Sequence, residues 1–222
     1  MSNQENKDSQ EEVWDKIADP WEKFRAKPIQ EAIDFLKTKK GKIIDLGCGS
    51  GRNFFKSSNL KIYGIDFSQK MLDHSKKHAE KEKIDVELIK SPTNNLPFKD
   101  NFFDSAIFIA TLHCLETKEK RKKSLEELYR VLKPGKEALI TVWDKDQKKF
   151  KNKPKENYIV WQNKGKRCYY LYEKQELIHL LEKIGFEIIK VYKKENENIK
   201  YSTRKRYSNK NILVIVKKPT SS

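Results

Sequence analysis

At 222 residues, with 36% charged and 36% hydrophobic side chains, the chain is long enough for one domain with a full core and too short for two large ones. Its 48 basic residues outnumber 32 acidic ones unevenly, since residues 1–132 hold 25 against 22 and residues 133–222 hold 23 against 10. No stretch reaches the roughly eighteen apolar residues of a membrane helix, and the polar opening lacks the charged start and apolar centre of a secretion signal, which excludes membrane insertion and export from the expectations.

Residues 1–10 read as a polar, disordered tail and residues 11–222 as a single domain. Val13 to Ala18 is amphipathic but too short to count as a helix of consequence. Ile29 to Lys39 places apolar residues at helical spacing, with Pro28 suited to its first turn and Gly41 to its end. Strands are expected at Ile43–Leu46 and Ile62–Ile65, then a helix from Met71 to Lys83 capped by Ser68, then a strand over Val86–Ile89. Ser105 to Ile109 is nearly all apolar, the signature of a strand buried on both faces. A helix from about Lys118 to Leu132 is stopped by Lys133-Pro134-Gly135 before the strand Ala138–Trp143. Residues from about 144 to 167 show no period and read as a basic insertion on the substrate side. The helix Lys174–Ile184 and the strands Phe186–Tyr192 and Ile212–Val216 complete the chain. Strands alternating with helices across short loops predict a parallel sheet wound by right-handed crossovers.

The chemistry is concentrated in Ile43-Ile44-Asp45-Leu46-Gly47-Cys48-Gly49-Ser50-Gly51. A strand running into a bend with glycine at every second position lets backbone approach a ligand more closely than side chains permit. Asp66 ends the next strand, and a carboxylate there suits a ribose because it can accept from both hydroxyls. The dinucleotide fingerprint has a Gly-x-Gly-x-x-Gly spacing, whereas Gly47, Gly49 and Gly51 are evenly spaced and follow Asp45, an acid that repels phosphates and suits a cationic amino-acid tail. A glycine turn in an unrelated α/β domain is the plainer alternative.

Basic runs at Lys148–Lys155, Lys164–Arg167 and Arg204–Arg206 are interleaved with Tyr158, Trp161, Tyr169, Tyr170, Tyr201 and Tyr207. Cations release counterions from phosphates and aromatic rings stack on unpaired bases, so the mixture points to an RNA surface, with a lysine-rich solvated face as the plainer reading. Cys48, Cys114 and Cys168 are odd in number and far apart, so neither a disulfide frame nor a metal site is expected, and a reducing cytoplasm is the expected compartment.

Asp45 through Gly51 with Asp66 closely resembles motif I and the ribose acid of class I S-adenosylmethionine-dependent methyltransferases. Five further pieces, around Arg25-Ala26-Lys27-Pro28, His113 to Arg121, Val142-Trp143, Ile159-Val160-Trp161 and Arg167 to Tyr172, resemble the eukaryal and archaeal tRNA methyltransferases that esterify 5-carboxymethyluridine at the wobble position. The likeness spans roughly Val13 to Val216. It implies a Rossmann-like α/β fold with a mostly parallel seven-stranded sheet and a reversed edge hairpin. It also implies S-adenosyl-L-methionine held by Asp45, Gly47, Cys48, Gly49, Gly51, Asp66, Phe67, Thr93 and Asn94. Arg25, His113 and Trp143 are then expected at the reacting centre, with Arg25 and His113 orienting the carboxylate and Trp143 stacking on the base or walling the pocket. Lys27, Arg121, Trp161, Arg167, Tyr169 and Tyr170 are expected to face RNA. Expected partners are tRNA and a small zinc-containing activator, with neither DNA nor membrane. Two departures stand out: Cys114 replaces the family's second histidine, and the loop after the third strand offers no acid to the adenine. A methyltransferase of a small quinone-precursor-like metabolite and a non-catalytic cofactor- or RNA-binding protein of the same fold are the rival readings.

Overall fold

The apolar runs form strands in a computed structural model that describes residues 9–192 and 211–220. In chain order these are β1 (Gly41–Leu46), β2 (Leu60–Asp66), β3 (Val86–Lys90), β4 (Phe103–Ile109), β5 (Leu132–Trp143), β6 (Glu156–Val160), β7 (Lys166–Tyr170), β8 (Glu187–Tyr192) and β9 (Asn211–Lys217). Seven of them make one sheet in the order β3-β2-β1-β4-β5-β9-β8, in which β9 alone runs antiparallel to its neighbours. Alternate residues of each central strand serve opposite faces. Ile43, Ile62 and Ile107 pack with Ala32, Phe35 and Leu36 of α2 (Gln30–Lys37) and Leu72 of α3 (Gln69–Glu82). Ile44, Leu46 and Phe108 pack with Leu125 and Leu128 of α4 (Lys118–Val131) and Leu177 and Leu181 of α5 (Lys174–Ile184). Burial on both faces is why these strands carry no polar alternation.

Four differences from the sequence reading have local causes. The segment judged too short for a helix is α1, Gln10–Phe24, fifteen residues long with Pro20 inside it. Its start is a capping box: Ser9 Oγ accepts from Glu12 N–H at 3.2 Å and Ser9 N–H donates to Glu12 Oε2 at 2.8 Å, a pair typically worth about 1 kcal/mol or more. The expected tail therefore overlaps α1 at Gln10, and residues 1–8 lie outside the described residues. Second, Gly41 opens β1 with φ +89° instead of closing α2, because the side chain of Asp104 fills the space a Cβ would take. Third, Lys133-Pro134-Gly135 stops the helix yet belongs to β5, which starts at Leu132 and bulges before Glu137.

The fourth difference bears on the site. The aperiodic stretch after Asp144 contains an antiparallel hairpin, β6 with β7, joined by a turn with Gln162 and Asn163 at positive φ. It forms a separate two-stranded sheet. Its neck is closed by a bridge between Asp144 and Tyr172, with Lys145 N–H donating to Tyr172 C=O at 2.9 Å and Tyr172 N–H to Trp143 C=O at 3.1 Å. α1 packs across the mouth of the sheet against α3 and β7. Among the described residues no helix is long and apolar enough to cross a membrane.

Candidate active site

A cleft of about 630 Å³ opens at the C-terminal ends of β1 to β4, beneath α1. Strand order reverses between β1 and β4, which is where open α/β sheets leave a crevice for ligands. The glycine bend forms its floor, and the three glycines differ in function. A Cβ on Gly49 would meet nothing within 4 Å, so this residue faces the open cleft. On Gly47 it would strike the Thr111 side chain at 2.2 Å, and on Gly51 the Phe54 ring at 2.7 Å. Those two glycines are required by packing rather than by ligand approach.

Asp66 anchors the bend. Its Oδ2 accepts from Gly49 N–H at 2.9 Å and its Oδ1 from Ser68 N–H at 3.0 Å, and the residue lines the cleft. Burial raises its pKa to about 6 despite those amide donors. Asp45 lies on β1 just before the bend, only 1% exposed and outside the cleft wall. Its Oδ2 has no hydrogen-bond partner among the described residues, and burial pushes its pKa up to about 7 against the opposing pull of Arg52. Cys48 and Phe67 line the cleft beside Gly49. On the far wall the Thr93 hydroxyl is turned to Ser124 Oγ at 2.8 Å, while half-buried Asn94 lines the cleft.

The opposite end of the cleft is walled by side chains of α1 and by Arg25, with β7 packed behind α1. Gln10, at the start of α1, spans two consecutive peptide units: its Nε2 donates to Lys166 C=O at 3.0 Å and its Oε1 accepts from Cys168 N–H at 2.9 Å. Between those points Arg167 is 2% exposed, its guanidinium carbon 4.7 Å from the centre of Trp21, 4.8 Å from Trp161, 5.0 Å from Tyr169 and 5.5 Å from Trp14. Trp14, Trp21 and Arg25 line the cleft, and Arg25 lies 5.2 Å over Trp21. Five polar atoms here are buried without a partner among the described residues: Arg25 Nε, Arg167 Nε and Nη1, Trp161 Nε1 and Tyr169 Oη. All can donate, and a cluster of unpaired buried donors is costly unless an acceptor arrives. Burial lowers the pKa of Arg167 and raises that of Tyr169, both consequences of a dry setting.

Residues 44–140 match the methyltransferase-domain family. The chain carries a methyltransferase domain. It is 36% identical over 137 residues to a tRNA (carboxymethyluridine(34)-5-O)-methyltransferase of Arabidopsis thaliana, covering 61% of this chain and 32% of that one. It is 34% identical over 145 residues to the Xenopus tropicalis protein named tRNA (carboxymethyluridine(34)-5-O)-methyltransferase alkbh8, covering 64% of this chain and 22% of that one. The chain thus spans about a third or less of the length of these relatives. Among solved structures, a chain of the complex between the Haloferax volcanii Trm112 methyltransferase activator and a methyltransferase superposes with a TM-score of 0.71 at 16% identity, over 96% of this chain and 99% of that one.

The methyltransferase domain gathers only some of the expected residues at the cleft: Arg25, Gly47, Cys48, Gly49, Asp66, Phe67, Thr93 and Asn94 line it. His113 does not. It is 1% exposed on the turn after β4, accepts from Trp143 N–H through Nδ1 at 3.3 Å, and stacks on the rings of Trp143 at 5.0 Å and Tyr169 at 5.7 Å. Burial and then the positive charges of Arg25, Arg167 and Lys149 depress its pKa to about 3, so it is a neutral ring in a stack and not a charged donor at the cleft wall. Trp143 is covered by Tyr169 at 4.3 Å and 12° and by Phe150 at 5.3 Å and 30°, which leaves no free face for a base.

Arg121 is likewise consumed by structure. It is 4% exposed, donates to Leu115 C=O at 3.0 Å and Glu116 C=O at 3.3 Å, pairs with Glu156 at 3.2 Å and lies 4.0 Å over Tyr170, whose hydroxyl donates to Glu176. Lys27 is exposed beyond α1 and away from the cleft wall. The cluster Arg204–Arg206, with Tyr201 and Tyr207, lies outside the described residues. Gln10, Trp14 and Trp21 were missed as site residues, and the Ser9-x-x-Glu12 signature was the signal that α1 begins early enough to bring them there.

Proposed function

We propose that this chain transfers a methyl group from S-adenosyl-L-methionine to the carboxylate of 5-carboxymethyluridine at the tRNA wobble position, giving the methyl ester. The observation that carries the reading is a set of unpaired donors, with Arg25 on the wall at one end of the cleft and Arg167, Trp161 and Tyr169 buried behind that wall, while the other end suits a nucleoside. Two guanidinium groups, a phenol and an indole N–H without acceptors fit a carboxylate and have no counterpart in the needs of an uncharged metabolite. The surplus of base over acid in residues 133–222 supports RNA over a small molecule.

The cofactor fits the residues present. Gly49 leaves room for it over the bend, the Asp66 carboxylate on the cleft wall suits ribose hydroxyls, and Asp45, buried behind the bend with its Oδ2 unpaired among the described residues, favours a cationic amino-acid tail through its charge. With no acid from Ser91 to Phe98 and Thr93 bonded to Ser124, Asn94 and backbone are left for the adenine edge. When bound, this sulfonium supplies an electrophilic methyl. The chain's own residues then have a positioning task, because transfer is an in-line displacement that depends on alignment and on removing water from the nucleophile. A carboxylate is ionised at neutral pH, so no general base is required, which agrees with His113 being held neutral and stacked. Arg25 on the wall holds one carboxylate oxygen and leaves the other to attack, while the buried charge of Arg167, packed on the Trp14 and Trp21 rings, adds to the positive field there.

The test is mass analysis of wobble nucleosides after incubating the protein and cofactor with total tRNA, with and without a small zinc-containing activator. Appearance of the methyl ester at the expense of 5-carboxymethyluridine is the expected result. No methylated nucleoside in any arm, while a small carboxylate or phenol is methylated, would replace the tRNA reading.

A further inference from the structure

The buried stripe of α1 runs Gln10, Val13, Ile17 and Ala18, and helical spacing carries it on to Trp21 and Phe24. Cover runs out along the way: Val13 is 2% exposed and Ile17 0%, Trp21 is half-buried, and Phe24 is 60% exposed. Phe24 is the most exposed large apolar residue among the described ones, and two of the other three, Tyr158 at 46% and Val160 at 53%, alternate along β6, the strand that leads into Trp161. Trp161 meets Phe24 at 5.0 Å and 61° and Trp21 at 5.2 Å and 74°, while Trp21 lines the cleft. An apolar shelf thus continues the wall of the cleft out to solvent.

What covers the shelf follows from its surroundings. Lys23 and Lys27 flank Phe24 in sequence, Lys164 and Lys166 belong to the hairpin that carries Trp161, and all four are exposed. The Arg25 guanidinium lies 5.1 Å over the Phe24 ring. Rings that are open on one side and edged by cations fit flat, uncharged π-systems strung on a polyanion, whereas an apolar protein partner would leave the lysines unpaired.

We infer that Phe24 and Trp161 form a stacking platform for an unpaired base adjoining the nucleoside that reacts in the cleft. The inference rests on the tRNA reading above and deepens it: the enzyme recognises its target as part of an opened single-stranded loop, by a base neighbouring the reacting one. Stacking is tolerant of base identity, so the platform selects for looped RNA over duplex rather than for a particular sequence.

Phe24→Ala and Phe24→Trp are made in the full chain, and binding is followed by anisotropy with a labelled anticodon stem-loop and with a blunt duplex of the same stem. Phe24 is exposed, so neither change disturbs the core. Phe24→Ala should weaken stem-loop binding about tenfold, leave duplex binding and cofactor affinity as in the parent, and leave the salt dependence unchanged, since no charge is removed. Phe24→Trp should restore the loop affinity. Equal loop affinity in Phe24→Ala and the parent, or equal losses on loop and duplex, overturns the platform while the tRNA reading stands. A parent protein that binds neither RNA overturns both.

Discussion

The two ends of the cleft are built on opposite principles. At the ends of β1 and β2 the wall is mostly backbone, and its amides are paired: those of Gly49 and Ser68 donate to Asp66, and Cys48 N–H donates to Ile65 C=O at 2.9 Å. Under α1 the wall is side chains, Trp14, Trp21 and Arg25, backed by the buried Arg167, and donors on both guanidinium groups are unsatisfied among the described residues. At the first end the amide donors are satisfied by the chain itself. The second keeps donors without acceptors among the described residues, so under the proposed reading the discrimination between substrates belongs there.

The comparison breaks most severely at Arg167. Arg167→Met keeps the volume of the cage while removing a buried, incompletely paired cation. It should lower kcat/KM roughly a hundredfold or more, with melting temperature equal to or above the parent's and cofactor affinity unchanged by calorimetry. A variant with full turnover would remove this arginine from the site. The backbone end is probed by Asp66→Asn, which should weaken cofactor binding about tenfold because one oxygen becomes a donor facing donors; calorimetric titration reads it.

Coupling between the ends is tested at Gln10. Gln10→Glu keeps an acceptor for Cys168 N–H and loses the donor to Lys166 C=O. Turnover should fall roughly fivefold, the loss of about one hydrogen bond, while cofactor affinity holds and amide exchange speeds up along β7. Unchanged exchange there would show that the clamp does not hold the hairpin.

A smaller effect sits at Asp45. Its folded pKa, about 7, lies well above the ordinary aspartate value, so the folded state retains a proton that the unfolded chain gives up, and stability from this group is lost as pH rises from that ordinary value to about 7. Asp45→Asn should match the parent below about pH 4 and melt several degrees higher at about pH 8, where about 1 kcal/mol moves Tm by roughly 2–4 °C in a chain of this size. The smallest effect is at His113, whose pKa near 3 keeps the ring neutral. Its ring proton resonances should not titrate between about pH 5 and 8, and a midpoint near the ordinary histidine value would place the ring in water.

Much of the backbone end was legible because its determinants are consecutive. Asp45 through Gly51 is one strand and one bend, and Asp66 ends the adjacent strand in parallel register. Even so, the separate reasons for Gly47, Gly49 and Gly51 were hidden, since Thr111 and Phe54 come from elsewhere in the chain. The side-chain end was legible only in pieces. Arg25 and Arg167 were both singled out, but their juxtaposition depends on α1, whose length rests on a capping box and on burial against α3 and β7. The hairpin escaped notice because β6 alternates weakly and its neighbours are lysines. His113 follows β4 and Trp143 ends β5, yet a position at the end of a strand does not say which way a ring points, and the stack with Tyr169 and Phe150 decided it.

The closed neck at Asp144 and Tyr172 has a consequence for how such a protein can change. The hairpin hangs from the seven-stranded sheet by two adjacent stems, so its outer portion can be exchanged without altering any register in the scaffold. Retargeting toward another acceptor is then a modular graft, with one requirement: the transplanted strand must present two peptide groups to the amide at the head of α1, or the new module will dangle.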